Sequence, residues 1–151
     1  MAAASYQTPV ICVVDDSDDD LLVLKRALRK LDVDNPIYHF DKAEGALGFL
    51  TSREGQSAHV GLVLLDINLP GTDGISLLKE IRRRNEIPGV PIIMFTTSDA
   101  PDDIRRSYRA GANAFVTKPV ATAGFTEAIQ SILTFWLRTA RLPMAYFEGL
   151  G

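Results

Sequence analysis

Gly61-Leu62-Val63-Leu64-Leu65-Asp66 is the stretch whose reading decides the fold. An uninterrupted apolar run leaves no solvated face, so it reads as a strand of a parallel sheet covered on both sides. A second such run, Val10-Ile11-Cys12-Val13-Val14, ends in Asp15-Asp16. Open parallel sheets gather ligands just outside the carboxyl ends of their strands. Three acidic groups are therefore aimed at one small crevice. Like charges held that close do not all stay ionised unless something positive sits among them, and the arrangement implies a divalent cation.

Outward from these two strands the chain alternates. Ser17 is a helix cap with Asp20 three residues on, a variant of the capping box, and Leu21, Leu24, Leu28 and Leu31 then recur at helical spacing. Asp18, Asp19 and Asp20 read as cap and dipole complement. Pro36 to Phe40 is a short strand, Ala43 to Leu50 a helix, and residues 51–57 a polar loop. After Asp66 comes the turn Leu69-Pro70-Gly71-Thr72-Asp73-Gly74, in which Asp73-Gly74 reads as a turn former rather than a catalytic acid. A helix from about Ile75 to Arg84 follows, then the strand Pro91-Ile92-Ile93-Met94-Phe95. Pro101 suits the first turn of the next helix and Gly111 its end. Asn113 to Thr117 is a fifth strand, closed by Lys118-Pro119, and a last helix covers about Thr122 to Thr139. The order βαβαβαβαβα implies a parallel sheet with helices on both faces. Residues 1–8 read as a flexible N-terminus, 9–142 as one domain and 143–151 as a C-terminal tail.

Composition narrows the function. The chain has 151 residues, enough for one well-buried domain, with 46% hydrophobic and 23% charged residues. Its net charge of −3 offers no basic surplus for nucleic acid. The single cysteine, Cys12, lies inside the first strand, which excludes an intrachain disulfide and fits a reducing compartment. No segment resembles a secretory signal or a membrane span, so the expected location is cytoplasmic. His39 and His59 have no metal-ligand spacing and read as ordinary residues.

Four strand ends deliver polar groups to one edge: Asp15-Asp16, Asp66, Thr96 and Lys118. Each strand is apolar up to that point. The motifs stand as Val-Asp-Asp-Ser (14–17), Leu-Asp-Ile-Asn-Leu-Pro-Gly-Thr-Asp-Gly (65–74), Phe-Thr-Thr-Ser (95–98) and Val-Thr-Lys-Pro (116–119). In order and spacing the chain resembles a response-regulator receiver domain, the phosphoacceptor module of two-component signalling. The resemblance implies a flavodoxin-like, doubly wound five-stranded sheet in the order 2-1-3-4-5. It makes Asp66 the phosphoryl acceptor, with Mg²⁺ (Mn²⁺ able to substitute) on Asp15, Asp16, Asp66 and the backbone carbonyl of Asn68. Thr96 and Lys118 would contact the phosphoryl group, and Phe115 matches the aromatic position that turns on activation. Relatives often have the peptide bond corresponding to Lys118–Pro119 cis.

Those roles agree with elementary chemistry. A carboxylate is a workable nucleophile toward phosphorus once the incoming oxygens are neutralised. The added group brings about −1.5 to −2 charge and three acceptor oxygens. Thr96 can reach one of them by shifting its loop, and the space vacated admits Phe115. The expected consequence is a changed surface over helix 101–110, strand 113–117 and the last helix. Arg105, Arg106 and Arg109 read as a solvated face.

In the last helix, Phe125, Ile129, Ile132 and Trp136 form a core stripe. Leu133, Phe135, Leu137 and Ala140 widen the apolar surface beyond it, and with Trp136 they are the candidate dimer interface. The Phe135-Trp136-Leu137 run resembles the small regulators serving bacterial phytochrome-type kinases, which implies a homodimer through this region. The partners implied are a sensor histidine kinase, phytochrome-type, and a histidine phosphotransfer protein if phosphate is relayed onward. The chain is not a stand-alone metabolic enzyme, although it would assist its own phosphorylation and dephosphorylation. Three alternatives compete: an aspartyl phosphatase of the haloacid-dehalogenase type, a flavin-binding protein of flavodoxin type, and a phosphorylation-independent adaptor on a receiver fold. The phosphatase needs an acid two residues after its nucleophile, where this chain has Asn68. The flavin cofactor's phosphate would be repelled by the acidic crevice.

Overall fold

β1 (Val10–Val14) and β3 (Val60–Leu65) are buried at every position in the computed structural model, which describes residues 8–143. β4 (Ile92–Thr96) is buried throughout as well, while β2 (Ile37–Phe40) and β5 (Ala114–Thr117) are only partly covered. The five strands pair in parallel in the order β2-β1-β3-β4-β5. The doubly wound five-stranded sheet expected from the sequence is therefore the sheet observed. Central runs are continuous because both faces are covered, and edge strands are less apolar because one flank meets solvent.

Alternation along each strand divides the interior into two cores. Val10, Cys12 and Val14 point into one, with Ala43, Ala46 and Leu50 of α2 (Ala43–Leu50) and Ile75, Leu77, Leu78 and Ile81 of α4 (Gly74–Arg84). Ile11 and Val13 point into the other, with Leu24, Ala27 and Leu28 of α1 (Asp18–Lys30) and Phe125, Ile129, Ile132 and Leu133 of α6 (Thr122–Thr134). Cys12 is wholly buried, and burial pushes its thiol up to about 12, so it behaves as a small apolar residue.

Helix ends follow local chemistry. The Ser17 side chain accepts the Asp20 N–H at 3.2 Å, and the Asp73 carboxylate accepts the Ser76 N–H at 2.9 Å, so Asp73, read from the sequence as a turn former, caps α4. Pro101 opens α5 (Pro101–Arg109), and Gly111 beyond it has φ +106°, which a side chain would resist. On α5, Arg105 and Arg106 pair with Asp102 and Asp103 one turn earlier, at 3.6 Å each.

Two local readings need correction. Residues 51–57 are not all loop: α3 (Arg53–Ser57) forms one short turn, with Ser52 accepting the Gly55 N–H at 3.0 Å. Its cap was present in the sequence, but five residues are too few to show a helical period. Leu133 is fully buried at 0% and cannot face a partner, because it sits one turn after Ile129 on the core side. Phe135 remains 49% exposed; Trp136, Leu137 and Ala140 are half-buried. Phe135–Thr139 continues α6 as a π-helical turn, and Arg138 donates to the Leu31 carbonyl at the end of α1. Leu142 is buried. The readings of residues 1–7 and 144–151 fall outside the described residues.

Gly74, at the start of α4, abuts the strand end that carries Asp66. A β-carbon there would lie 2.0 Å from the Asp66 carbonyl oxygen, whereas one on Gly48 in α2 would have nothing within 4 Å. Gly74→Ala should therefore destabilise the fold by about 2 kcal/mol or more, since backbone must move. Gly48→Ala should stabilise it by roughly 0.5–1 kcal/mol through helix propensity. Urea unfolding of both variants checks the pair, and equal effects would contradict the packing described.

Candidate functional site

Five polar or charged residues are buried among the described residues, and four of them lie at the carboxyl edge of the sheet: Asp15, Asp66, Thr96 and Lys118. Each ends, or immediately follows, a different strand. Asp15 follows β1, Asp66 follows β3, Thr96 is the last residue of β4, and Lys118 follows β5. Parallel pairing brings these ends together although Lys118 lies 103 residues from Asp15 in the chain.

Lys118 Nζ is the centre of the arrangement. It donates to Asp15 Oδ2 at 2.7 Å and Asp66 Oδ2 at 3.1 Å, and forms an ion pair with Asp20 Oδ2 at 2.7 Å. The Phe95 ring lies beneath it, 5.7 Å from Nζ to the centroid, within cation–π range. Burial by itself would lower the lysine's pKa. The hydrogen bonds to Asp15 and Asp20 and the charges of Asp15 and Asp66 together outweigh it and raise the pKa. Burial pushes the Asp15 carboxyl above its ordinary range by more than Lys118 draws it down. Part of the positive charge that the acidic crevice demanded is thus supplied by the chain itself.

The second oxygen of each strand-end carboxylate binds locally. Asp15 Oδ1 accepts the Ser17 N–H at 2.8 Å, and Asp66 Oδ1 accepts the Asn68 N–H at 3.2 Å. Thr96 Oγ1 accepts the Ser98 N–H at 3.4 Å, again two residues ahead. Backbone ties set these residues in place. The Asp15 N–H donates to the Phe40 carbonyl, the Asp66 N–H to the Val14 carbonyl and the Lys118 N–H to the Thr96 carbonyl.

Ligand oxygens of Asp15, Asp16 and Asp66 lie within 4.8 Å of one another, with Asp16 exposed and the other two buried. Three hard oxygen donors at that spacing fit a hard divalent cation. Asn68 is tied to this group through its N–H on Asp66. Phe115 stands apart: it is half-buried on β5, and its N–H donates to Tyr108 Oη at 3.1 Å.

The Lys118–Pro119 peptide bond is trans, contrary to expectation. Trans is the lower-energy isomer of such bonds, and the four-carbon lysine stem spans to the carboxylates without the alternative. Two further contacts were missed in the sequence. Asp20 touches Lys118 instead of serving only the helix start. His39 Nε2 lies 2.6 Å from the Asp15 carbonyl, to which it must donate. The order 2-1-3-4-5 puts β2 beside β1, and that was the available signal for His39.

Residues 11–130 match the family model of the response regulator receiver domain. The chain is 32% identical over 148 residues to response regulator Rcp1 of Synechocystis sp., covering 96% of this chain and all of the relative. It superimposes on the crystal structure of the Mn²⁺-bound form of Rcp1 with a TM-score of 0.83 at 31% identity, covering 89% of this chain and 99% of that one. The phosphorylated cyanobacterial phytochrome response regulator RcpA gives a TM-score of 0.83 at 28% identity, with 90% and 99% covered. Among the described residues no helix is long and apolar enough to cross a membrane. With its parallel sheet, its buried polar residues gathered at one edge and these likenesses, the chain belongs to the response-regulator receiver family of two-component signalling.

Proposed function

We propose that Asp66 is the phosphoryl acceptor of this response regulator, and that Asp15, Asp16, Asp66 and the Asn68 carbonyl hold Mg²⁺, with Mn²⁺ able to replace it. The observation that carries this reading is the convergence of four of the five buried polar residues on one edge of the sheet. A carboxylate buried in this way needs a task or a partner, and Asp66 has both a lysine and an acidic metal set beside it.

In the transfer, an Asp66 carboxylate oxygen attacks the phosphorus of a phosphohistidine. The P–O bond forms as the P–N bond breaks, and the bonding pair returns to the imidazole nitrogen. When bound, the divalent cation would neutralise oxygens of the phosphoryl group. Lys118 releases the Asp66 oxygen that becomes bonded to phosphorus and turns its donor to a phosphoryl oxygen. Thr96 exchanges its bond with Ser98 for one to the same group, and Phe115 turns into the space that loop vacates. Ser98 Oγ donates to Asp103 on α5 at 2.6 Å, and Thr117 Oγ1 donates to the Ser98 carbonyl at 2.9 Å. Movement of Thr96 is thereby connected to α5 and β5, the surface expected to carry the output.

The donor is a sensor histidine kinase of phytochrome type, which this chain would meet in the cytoplasm, and the phytochrome type is supported by likeness to Rcp1 and to the phytochrome regulator RcpA. A histidine phosphotransfer protein is the acceptor if phosphate passes onward. The exposed ring of Phe135, packed edge-on against Trp136 with centroids 4.9 Å apart, supports self-association through the end of the last helix, joined by Leu137 and Ala140. Light scattering at high micromolar concentration should then report a dimer that Phe135→Asp converts to monomer. A monomeric wild-type chain, phosphorylated or not, removes this part of the reading.

Incubation with acetyl phosphate and Mg²⁺ should add one phosphoryl mass to the wild-type chain and none to Asp66→Asn, whose fold persists because Asp15 and Asp20 still hold Lys118. No gain in mass together with no beryllofluoride binding would leave the phosphorylation-independent adaptor instead. Lys118→Met strips the charge partner from buried carboxylates, and should cost about 1–3 kcal/mol at pH 7.5. The Asp15 pKa, already raised by burial, rises further without the lysine. A raised native pKa makes an acid's contribution to stability fall as pH rises, so the loss should shrink at pH 5. Urea unfolding at the two pH values checks the sign; a loss that grows on acidification contradicts it.

A further inference from the structure

We propose that Asp20 is a positioning residue that holds the Lys118 ammonium in place for the phosphorylated state; this rests on the reading of Asp66 as the acceptor. A lysine ammonium has three N–H donors, and three carboxylates lie on Lys118: Asp15, Asp20 and Asp66. Two of those partners have other commitments during the reaction. Asp66 loses its free carboxylate to the acyl phosphate, and Asp15 belongs to the set of acids grouped closely enough for a cation. Asp20 is outside that set, and its tie to Lys118 alone is independent of both phosphate and metal.

Its freedom to serve there comes from an exchange of partners at the start of α1. A capping box would send the Asp20 carboxylate back to the Ser17 N–H. That N–H is already taken by Asp15 Oδ1 at 2.8 Å, so the Asp20 side chain points to Lys118 instead. The Asp20 backbone is fixed by donating its N–H to Ser17 Oγ, and α1 is anchored by buried Leu24, Ala27 and Leu28. With its side chain only 26% exposed, Asp20 forms a short ion pair on a rigid element. As Asp66 Oδ2 is phosphorylated, Asp20 keeps the ammonium from drifting, and the third donor meets the phosphoryl oxygen.

Beryllofluoride binding to the full chain in Mg²⁺, followed by ¹⁹F and ¹⁵N NMR, tests this without requiring transfer. Asp20→Asn keeps the shape and loses the charge, and should weaken beryllofluoride about tenfold, the scale of one charge-assisted hydrogen bond. Mg²⁺ affinity, titrated separately, should fall by less, and Asp20→Glu should recover part of the loss. In a Lys118→Ala background Asp20→Asn should add no further loss, because the residue acts through the lysine. An equal loss in that background, or tighter binding by Asp20→Asn, overturns the proposal while leaving Asp66 as acceptor. No binding by the wild-type chain overturns both.

Discussion

One ammonium group organises the carboxyl edge of this sheet. Lys118 reaches back across the sheet from the end of β5 to carboxylates at the ends of β1 and β3 and at the start of α1. Parallel strands covered on both sides force their termini into a common crevice, and acids in such a place repel one another strongly. A buried cation matched donor for acceptor answers that repulsion; a buried cation left unmatched would add a second penalty. The same local device serves the remaining lone pairs: a side-chain oxygen takes the N–H two residues ahead at Asp15, Asp66 and Thr96. These three strand ends are therefore shaped by their own next two residues, and the lysine gathers the ends of β1 and β3.

Rigidity around the site is a property of backbone. Asp15 is clamped through its N–H to Phe40 and through its carbonyl by His39, both on β2. Asp66 is bonded to Val14 on one side and is approached from behind by Gly74, whose N–H donates to the Ile67 carbonyl. These ties leave the acid side chains as the adjustable part. Three carboxylates around one ammonium, with Asp16 close to two of them, still carry excess negative charge, which explains how a compact site can remain stable and yet attract a divalent cation.

The order of the strands came with the family resemblance, whereas the parallel sheet and its strand-end residues were legible because buried parallel strands are apolar without interruption, so each change to a polar residue marks an edge. Thr96 and Lys118 could be placed beside Asp66 on that basis alone. What was not legible depended on distances between elements. Leu133 looked like surplus apolar surface because a one-dimensional stripe does not show how widely the core wraps α6; the buried arc includes it. The turn at Arg53–Ser57 is too short for periodicity to announce it.

Asp20 and Asp73 make the physical limit of such reading clear. Both are acids at the beginning of a helix, where a carboxylate complements the helix dipole and a backbone N–H waits for an acceptor. Asp73 takes that role, accepting the Ser76 N–H next to a solvent-facing turn. Asp20 does not, because the N–H it would accept is taken by a carboxylate from the neighbouring strand end, and an ammonium lies within reach. Helices in a doubly wound sheet start close to the strand ends that make the site, so capping positions and site positions draw on the same few residues. Which role an acid takes is settled by the nearest competing donor, and for Asp20 that donor is contributed by residue 118 after the fifth strand.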